Sequence, residues 1–296
     1  MGTIRIFESN NKGTHELVSL SESVEKSLQK LIEANLEKFL NIRFLSSEHS
    51  TGKTYGGRID TLGIDENKSP VIIEYKRSIS ESVINQGLFY LTWLLDHKAE
   101  FELLVLKKFG KEESMNIEWQ NARLLCIASD FTKYDQAAIE QIDRNIELIR
   151  YRRFENDLIL FEQVNATTAQ ETPKMKGHYA TVMELFDKMG QKEKERYDEL
   201  KTLILTLGDD IVENETKYYI AFKRLSNFAC VEFHPNTGDI LVFVKLDLKT
   251  TSFEKGFARN VTDIGHYGTG NVEIRVNDDE DVQKAFPLIR ESYEMS

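Results

Sequence analysis

Apolar residues recur every three to four positions between residues 21 and 39, where Leu28, Leu31, Ile32, Leu36 and Phe39 trace one face, and this spacing predicts a helix. Strand-like runs follow at 42–48, 57–64 and 71–76, then a helix at 80–97. Further strands are expected at 101–106, 124–128 and 158–161, with a helix over 137–151. A helix, a three-strand meander and then more helices and strands is an α/β order. The pattern breaks at residues 164–177, which lack apolar periodicity and contain Pro173. We read 164–176 as a linker between a first domain, 1–163, and a second, 177–296. The second domain is expected to be α+β with an antiparallel sheet: helices at 178–189 and 192–207, strands at 218–223, 229–234, 240–246 and 272–276, and a closing helix at 279–293. Pro235-Asn236-Thr237-Gly238-Asp239 supplies a hairpin turn between two of those strands.

The chemistry lies on two strands of the first domain. Asp65-Glu66-Asn67-Lys68-Ser69-Pro70 is a polar turn run, so its arms should form an antiparallel hairpin. With the turn centred on Asn67, Asp60 falls opposite Glu74, with Cβ atoms about 5 Å apart. Alternation puts Glu74 and Lys76 on one face of the second arm, about 7 Å apart, and Tyr75 on the other. By the same rule Arg58 shares the face of Asp60. Two carboxylates this close repel unless a cation lies between them, and a hard divalent ion with oxygen ligands, Mg²⁺ or Mn²⁺, meets that need. Lys76 is then placed to orient or deprotonate a water, or to neutralise charge on a phosphoryl group. An arbitrary Glu-x-Lys pair is ordinarily a solvated face. This one ends the run Val71-Ile72-Ile73, a continuous apolar stretch typical of a strand buried on both sides.

Asp60, thirteen intervening residues and then Glu74-Tyr75-Lys76 resembles the signature of the PD-(D/E)xK nucleases, the restriction-endonuclease-like superfamily, with Ile59 where the motif's name has proline. Gln86 and Tyr90 are similar to the Gln-x-x-x-Tyr motif of RecB-type members, and their i, i+4 spacing puts both on one helical face. The family also uses a glutamate from its first helix. Of Glu22, Glu25, Glu33 and Glu37, Glu25 shares the apolar side with Leu28, Ile32 and Leu36, whereas Glu33 and Glu37 sit with Lys26 and Lys30 on the polar side. Glu25 is therefore our choice, with a capping carboxylate in the first turn as its alternative role.

More narrowly, from residue 25 to about residue 151 the chain resembles the catalytic domain of archaeal and actinobacterial mismatch- or single-strand-directed DNA endonucleases. The resemblance implies a four- or five-stranded mixed sheet flanked by helices, DNA as substrate in repair or defence, and Mg²⁺ or Mn²⁺ at Asp60, Glu74 and the Tyr75 carbonyl. It further implies that Lys76 assists the attacking water, that Glu25 holds a second ion or a metal-bound water, and that Gln86 and Tyr90 position the site. The second domain is similar to a small module found behind such nuclease domains in bacterial proteins, sometimes labelled as transport-related. The rival expectation is a non-catalytic module that keeps the fold and binds nucleic acid or protein.

Arg58 and Arg77 either hold phosphates or pair with local carboxylates. Arg150, Arg152 and Arg153 around Tyr151 read more readily as a solvated helix end than as a strand contact. The glycine-rich residues 265–270 lack the strand before and the helix after that a phosphate loop requires. The six His have no metal-ligand spacing, and Trp93 and Trp119 read as core.

Charge limits the nucleic-acid reading. The 296-residue chain carries a net charge of −11, and both halves are acidic, so neither is a basic arm. DNA binding should be weak and salt-sensitive, aided by a homodimer or a partner. No run approaches the roughly 18 uncharged apolar residues of a spanning helix, and residues 1–8 have no apolar signal region, so we expect no membrane association and a cytoplasmic location. Cys126 and Cys230 lie far apart in apolar runs and read as two buried thiols rather than a disulfide.

Overall fold

The computed structural model describes residues 4–11, 13–20, 25–76, 82–168 and 180–296. The chain opens with an exposed hairpin, β1 (Phe7–Asn10) and β2 (Gly13–Glu16). The first domain continues with β3 (Ser19–Leu20), α1 (Glu25–Ala34), α2 (Leu36–Leu40), β4 (Ile42–Ser50), α3 (Gly52–Tyr55), β5 (Arg58–Asp65) and β6 (Pro70–Lys76). It is completed by α4 (Ser82–Asp96), α5 (Lys98–Phe109), α6 (Lys111–Met115), β7 (Arg123–Ala128), α7 (Lys133–Ile139), β8 (Asn145–Phe154) and β9 (Ile159–Thr167). The second domain contains α8 (Val182–Asp187), α9 (Gln191–Leu205), β10 (Val212–Glu215), β11 (Ile220–Lys223), β12 (Asn227–His234), β13 (Asp239–Val244), β14 (Ala258–Asn260), β15 (Val272–Val276) and α10 (Asp279–Glu294).

Strands β4, β5 and β6 pair antiparallel, β6, β7 and β8 pair parallel, and β9 returns antiparallel along β8. With β3 against the end of β8, seven strands form a mixed sheet among the described residues, more than the four or five that the resemblance implied. Both faces are covered. Ile72, Leu124 and Cys126 face α4 and α5, where Trp93, Leu94 and Phe101 lie, whereas Val71, Ile73, Tyr75 and Leu125 pack on Leu28, Ile32 and Leu36 of α1 and α2. The two-sided burial expected of Val71-Ile72-Ile73 is therefore present, all three being fully enclosed.

The second domain is a six-stranded antiparallel sheet, ordered β10-β11-β12-β13-β15-β14. Leu200 and Ile204 of α9 and Val282 and Ile289 of α10 close one face over Phe233, Val242 and Ile274. Residues 265–270 lie on the other face, where His266 stacks on Phe243 at 4.2 Å. A Cβ at Gly268 would stand 2.7 Å from the Cys230 Cβ, so that glycine serves close packing. Cys126 and Cys230 are both free and buried, and burial pushes the Cys230 thiol up to about 11.

Several expectations need correction. Residues 101–106 belong to α5, where Phe101 and Val105 point inward at helical spacing while Leu103 and Leu106 are exposed. The stretch 137–151 divides between the end of α7 and β8. Arg150 is consequently not at a solvated helix end: it is buried in β8, with Asp130 and Glu162 oxygens each at 2.8 Å. Trp93 is core and Trp119 is half-buried. Strand β9 runs to Thr167, into the stretch read as linker, and residues 169–179 lie outside the described residues.

The two domains meet at the tip of the β5–β6 hairpin. Asp65 Oδ1 accepts the Asn67 and Ser69 N–H groups, each at 2.9 Å, and Lys68 takes the left-handed conformation that closes the turn. Asn67 is buried and accepts hydrogen bonds from Asn227 and from the Tyr219 hydroxyl of the second domain. Glu66 beside it receives the Asn227 N–H and lies 2.8 Å from Lys245 Nζ. No helix among the described residues is long and apolar enough to cross a membrane.

Candidate active site

At its far end the same hairpin opens. The antiparallel ladder runs Ile64↔Pro70, Gly63↔Val71, Leu62↔Ile72 and Thr61↔Ile73, which is the register the turn predicts. One step further, side chains replace the ladder. The Asp60 N–H donates to Glu74 Oε1 at 3.1 Å, and the Tyr75 N–H donates to Asp60 Oδ2 at 3.0 Å. Each carboxylate thus caps the backbone of the opposite strand, and the two are brought together at the point where β5 and β6 part.

Strict alternation fails here. Ile59 packs in the same α4-side cluster as Leu62 and Ile64, although two-residue periodicity would send it to the face of Thr61. Asp60 sits at this turn of the strand and is half-buried, Glu74 is fully buried on a strand between β5 and β7, and Lys76 at the end of β6 is half-buried. Arg58 is exposed at the start of β5.

Helix α4 delivers Gln86 and Tyr90 to this end. Gln86 Nε2 donates to the Tyr90 hydroxyl at 3.3 Å, and that oxygen also accepts the Arg58 N–H at 3.2 Å. The i, i+4 pair therefore braces the strand two residues before Asp60. Gly57 permits the approach: a Cβ there would lie 2.6 Å from the Tyr90 hydroxyl oxygen.

On the opposite face the structure corrects the helix-wheel reading of α1. Glu33, placed above with the polar side, accepts the Thr61 hydroxyl at 2.6 Å and the Gln29 amide at 3.1 Å. The Tyr75 hydroxyl donates to Thr61 Oγ1 at 3.2 Å, and burial holds that phenol well above its usual value. Gln29 and Thr61 were missed from the sequence, and Glu33 was weighed there and set aside. The available signal was the i, i+4 pair Gln29 and Glu33, each one residue past an inward-facing position, Leu28 and Ile32. Glu25 opens α1, but its side chain and the whole of Arg77 lie outside the described residues.

The donor set suits a hard cation. Among the described residues no group of three or more His, Cys, Asp or Glu side chains is arranged to hold a metal. The carboxylate oxygens of Asp60 and Glu74 are the kind of donor that Mg²⁺ takes, since it keeps several waters and uses one or two protein carboxylates.

Comparison with known proteins adds the following. Residues 182–296 match a family described as a domain of unknown function, DUF5655. An uncharacterised protein of Haemophilus influenzae is 29% identical over 306 residues, covering 98% of this chain and 99% of that one. Among solved structures, a repair endonuclease from Pyrococcus abyssi aligns at a TM-score of 0.30 and 18% identity, over 45% of this chain and 49% of its own. An EndoMS–dsDNA2 complex aligns at 0.26 and 18%, over 46% and 47%. The chain thus spans about half the length of these two structures, and nearly the whole of its Haemophilus relative.

Proposed function

We propose that the first domain is a metal-dependent nuclease that hydrolyses DNA phosphodiester bonds, with Asp60, Glu74 and Lys76 at its centre. The observation that carries this reading is the reciprocal capping of Asp60 and Glu74 at the parting of β5 and β6, with Lys76 two residues on. Asp60, Glu74 and the Tyr75 carbonyl are the groups that would hold Mg²⁺ or Mn²⁺. Such an ion, when bound, supplies Lewis-acid polarisation of the phosphoryl group and a lowered water pKa. Lys76 donates hydrogen bonds toward the attacking water or the charged phosphoryl oxygens. Gln86 and Tyr90 hold the β5 backbone at Arg58, and Arg58, exposed at the mouth, is available to a phosphate. The acidic chain supports weak, salt-sensitive DNA binding.

The test is incubation of the full chain with single-stranded, branched and mismatched DNA in Mg²⁺ or Mn²⁺. Cleavage lost in both Asp60→Asn and Lys76→Ala supports the reading; cleavage that survives both substitutions unchanged sinks it.

A further inference from the structure

We infer that a cavity beside the mouth of the candidate site takes one unpaired base of the DNA strand, stacked against Tyr55. The inference rests on the nuclease reading and concerns how its substrate is held. The cavity measures about 230 Å³ and is lined by residues 50–55, by Trp93 and His97, and by Glu100 of α5. Pockets for drug-sized ligands run to roughly 300–1,000 Å³, so this one suits a single ring system rather than a whole nucleotide.

Its aromatic wall is already fixed. The Tyr55 hydroxyl donates to Asp96 Oδ2 at 2.7 Å, and His97 meets the Tyr55 ring edge-on with centroids 5.5 Å apart. His97 stacks on Trp93 at 4.9 Å, and Phe89 packs against Tyr55 at 5.3 Å. An arriving base therefore orders little of the protein. The carboxylates of Asp96 and Glu100 are engaged, the first by Tyr55 and the second by His49 Nε2 at 3.2 Å. A base within a duplex is stacked between its neighbours, so entry here selects one that is unpaired.

Position ties the cavity to the site. Ser50 pairs with Arg58 across β4 and β5, and the N–H and hydroxyl of Thr51 both donate to the Gly57 carbonyl, at 3.1 and 3.2 Å. Tyr90 packs on Gly57 and accepts the Arg58 N–H, so the cavity and the mouth share residues 57 and 58. Asp60 lies two strand residues further, about 7 Å. A strand advances about 3.4 Å per nucleotide in a duplex, which sets the cavity within a few nucleotides of the scissile bond. Lys53 at the cavity and Arg58 at the mouth are both exposed and supply cations for the phosphates between. Stacking needs no charge, which suits a chain carrying a net −11.

The experiment uses the full chain, metal-free, with Trp119→Phe so that Trp93 is the remaining tryptophan. A short single-stranded oligo(dA) should quench Trp93 emission. Tyr55→Leu should weaken its binding by about 5- to 150-fold, the scale of one base–aromatic stack, and Tyr55→Phe, which restores the ring, should recover most of that loss. Lys53→Ala should lower the salt slope of binding by about 0.7, the value for one phosphate contact on a single strand. Trp93 quenching is read with Tyr55 intact, so the inference stays testable where Tyr55→Leu does not fold. Oligonucleotide that fails to bind, binds without changing Trp93, or binds Tyr55→Leu equally well overturns the inference. Binding of dAMP as tight as that of oligo(dA) also overturns it, because the cavity would then take a free nucleotide. Quenching that depends on Tyr55 in a protein that cleaves no DNA sustains the base site and removes the nuclease reading. Cleavage that needs Asp60, with a KM for single-stranded DNA indifferent to Tyr55→Leu, does the reverse.

Discussion

Lys223 Nζ of the second domain lies 2.7 Å from Glu147 Oε1 of the first, and the same carboxylate oxygen accepts Arg123 Nη1 at 2.8 Å. Arg123 in turn stands 3.4 Å from Asp65 at the hairpin tip. All four side chains are less than a tenth exposed, and they alternate in sign, so the interface buries two anions with two cations. Burial raises the Asp65 and Glu147 carboxyls above their ordinary values, with Arg123 acting against the rise in both. The second domain is therefore bound into the charge balance of the strands that carry the candidate site.

Removing one cation from that balance should be expensive. Lys223→Met leaves Glu147 with Arg123 alone, and we expect a loss of about 3 kcal/mol in denaturant unfolding, the scale for breaking a buried pair. Adding Glu147→Gln, which still accepts from Arg123, should make the double variant more stable than the two single losses predict by about 1 kcal/mol. Strictly additive losses would mean that the pair does not couple the domains.

The hairpin tip also sets a pH dependence. Burial raises the Glu66 carboxyl, with Lys245 and the Asn227 N–H opposing the rise. A raised folded value means that, as pH falls, the folded protein takes up this proton before the unfolded chain does. The Glu66 contribution to stability is thus fullest below its unfolded pKa, and it is lost as pH climbs through the raised folded value. Thermal melts of Glu66→Gln, which keeps an oxygen for Asn227, should decline less steeply than wild type across that window. Parallel profiles would refute it.

The parts of this fold that were legible in the sequence are those fixed by local chemistry. The turn Asp65 to Pro70 set the hairpin register, because Asn, Asp and Ser hydrogen-bond their own backbone, and the register in turn placed Asp60 by Glu74. The illegible parts were decided by packing. Phe101-Glu102-Leu103-Leu104-Val105-Leu106 is apolar enough for either period, and its contacts with the α4-side core selected the helix. β8 was hidden by Arg150, whose charge is matched by Asp130 and Glu162 from elsewhere in the chain. Glu33 was misplaced because a helical wheel gives relative directions around α1, while the roll of α1 on the sheet decides which flank of the apolar stripe meets β5.

Gly57 tests the brace at the mouth. Gly57→Ala would force a methyl to within 2.6 Å of the Tyr90 hydroxyl oxygen and 2.9 Å of its ring, so we expect a loss of about 1–3 kcal/mol from overpacking. Tyr90→Phe removes the nearer atom, so in that background the alanine should be tolerated better. Thermal melts of the two single variants and the double decide it, and equal penalties in both backgrounds would place the conflict elsewhere.

Metal binding should register as stability before any substrate is found. An ion that binds the folded protein alone stabilises it by about 2.7 kcal/mol at a hundred times its Kd. Mn²⁺ is therefore expected to raise the melting temperature of the full chain by several degrees, reversibly with chelator. Asp60→Asn and Glu74→Gln should each abolish the rise, because each replaces an anionic ligand by a neutral amide while preserving shape. Glu37→Gln, an exposed carboxylate on α2, serves as the control and should respond as wild type does. The comparison separates binding at the hairpin mouth from loose association with an acidic surface, which carries a net −11 and would attract cations in all four proteins alike. A rise of equal size in wild type and in both site variants would assign the effect to that surface and leave Asp60 and Glu74 without a metal.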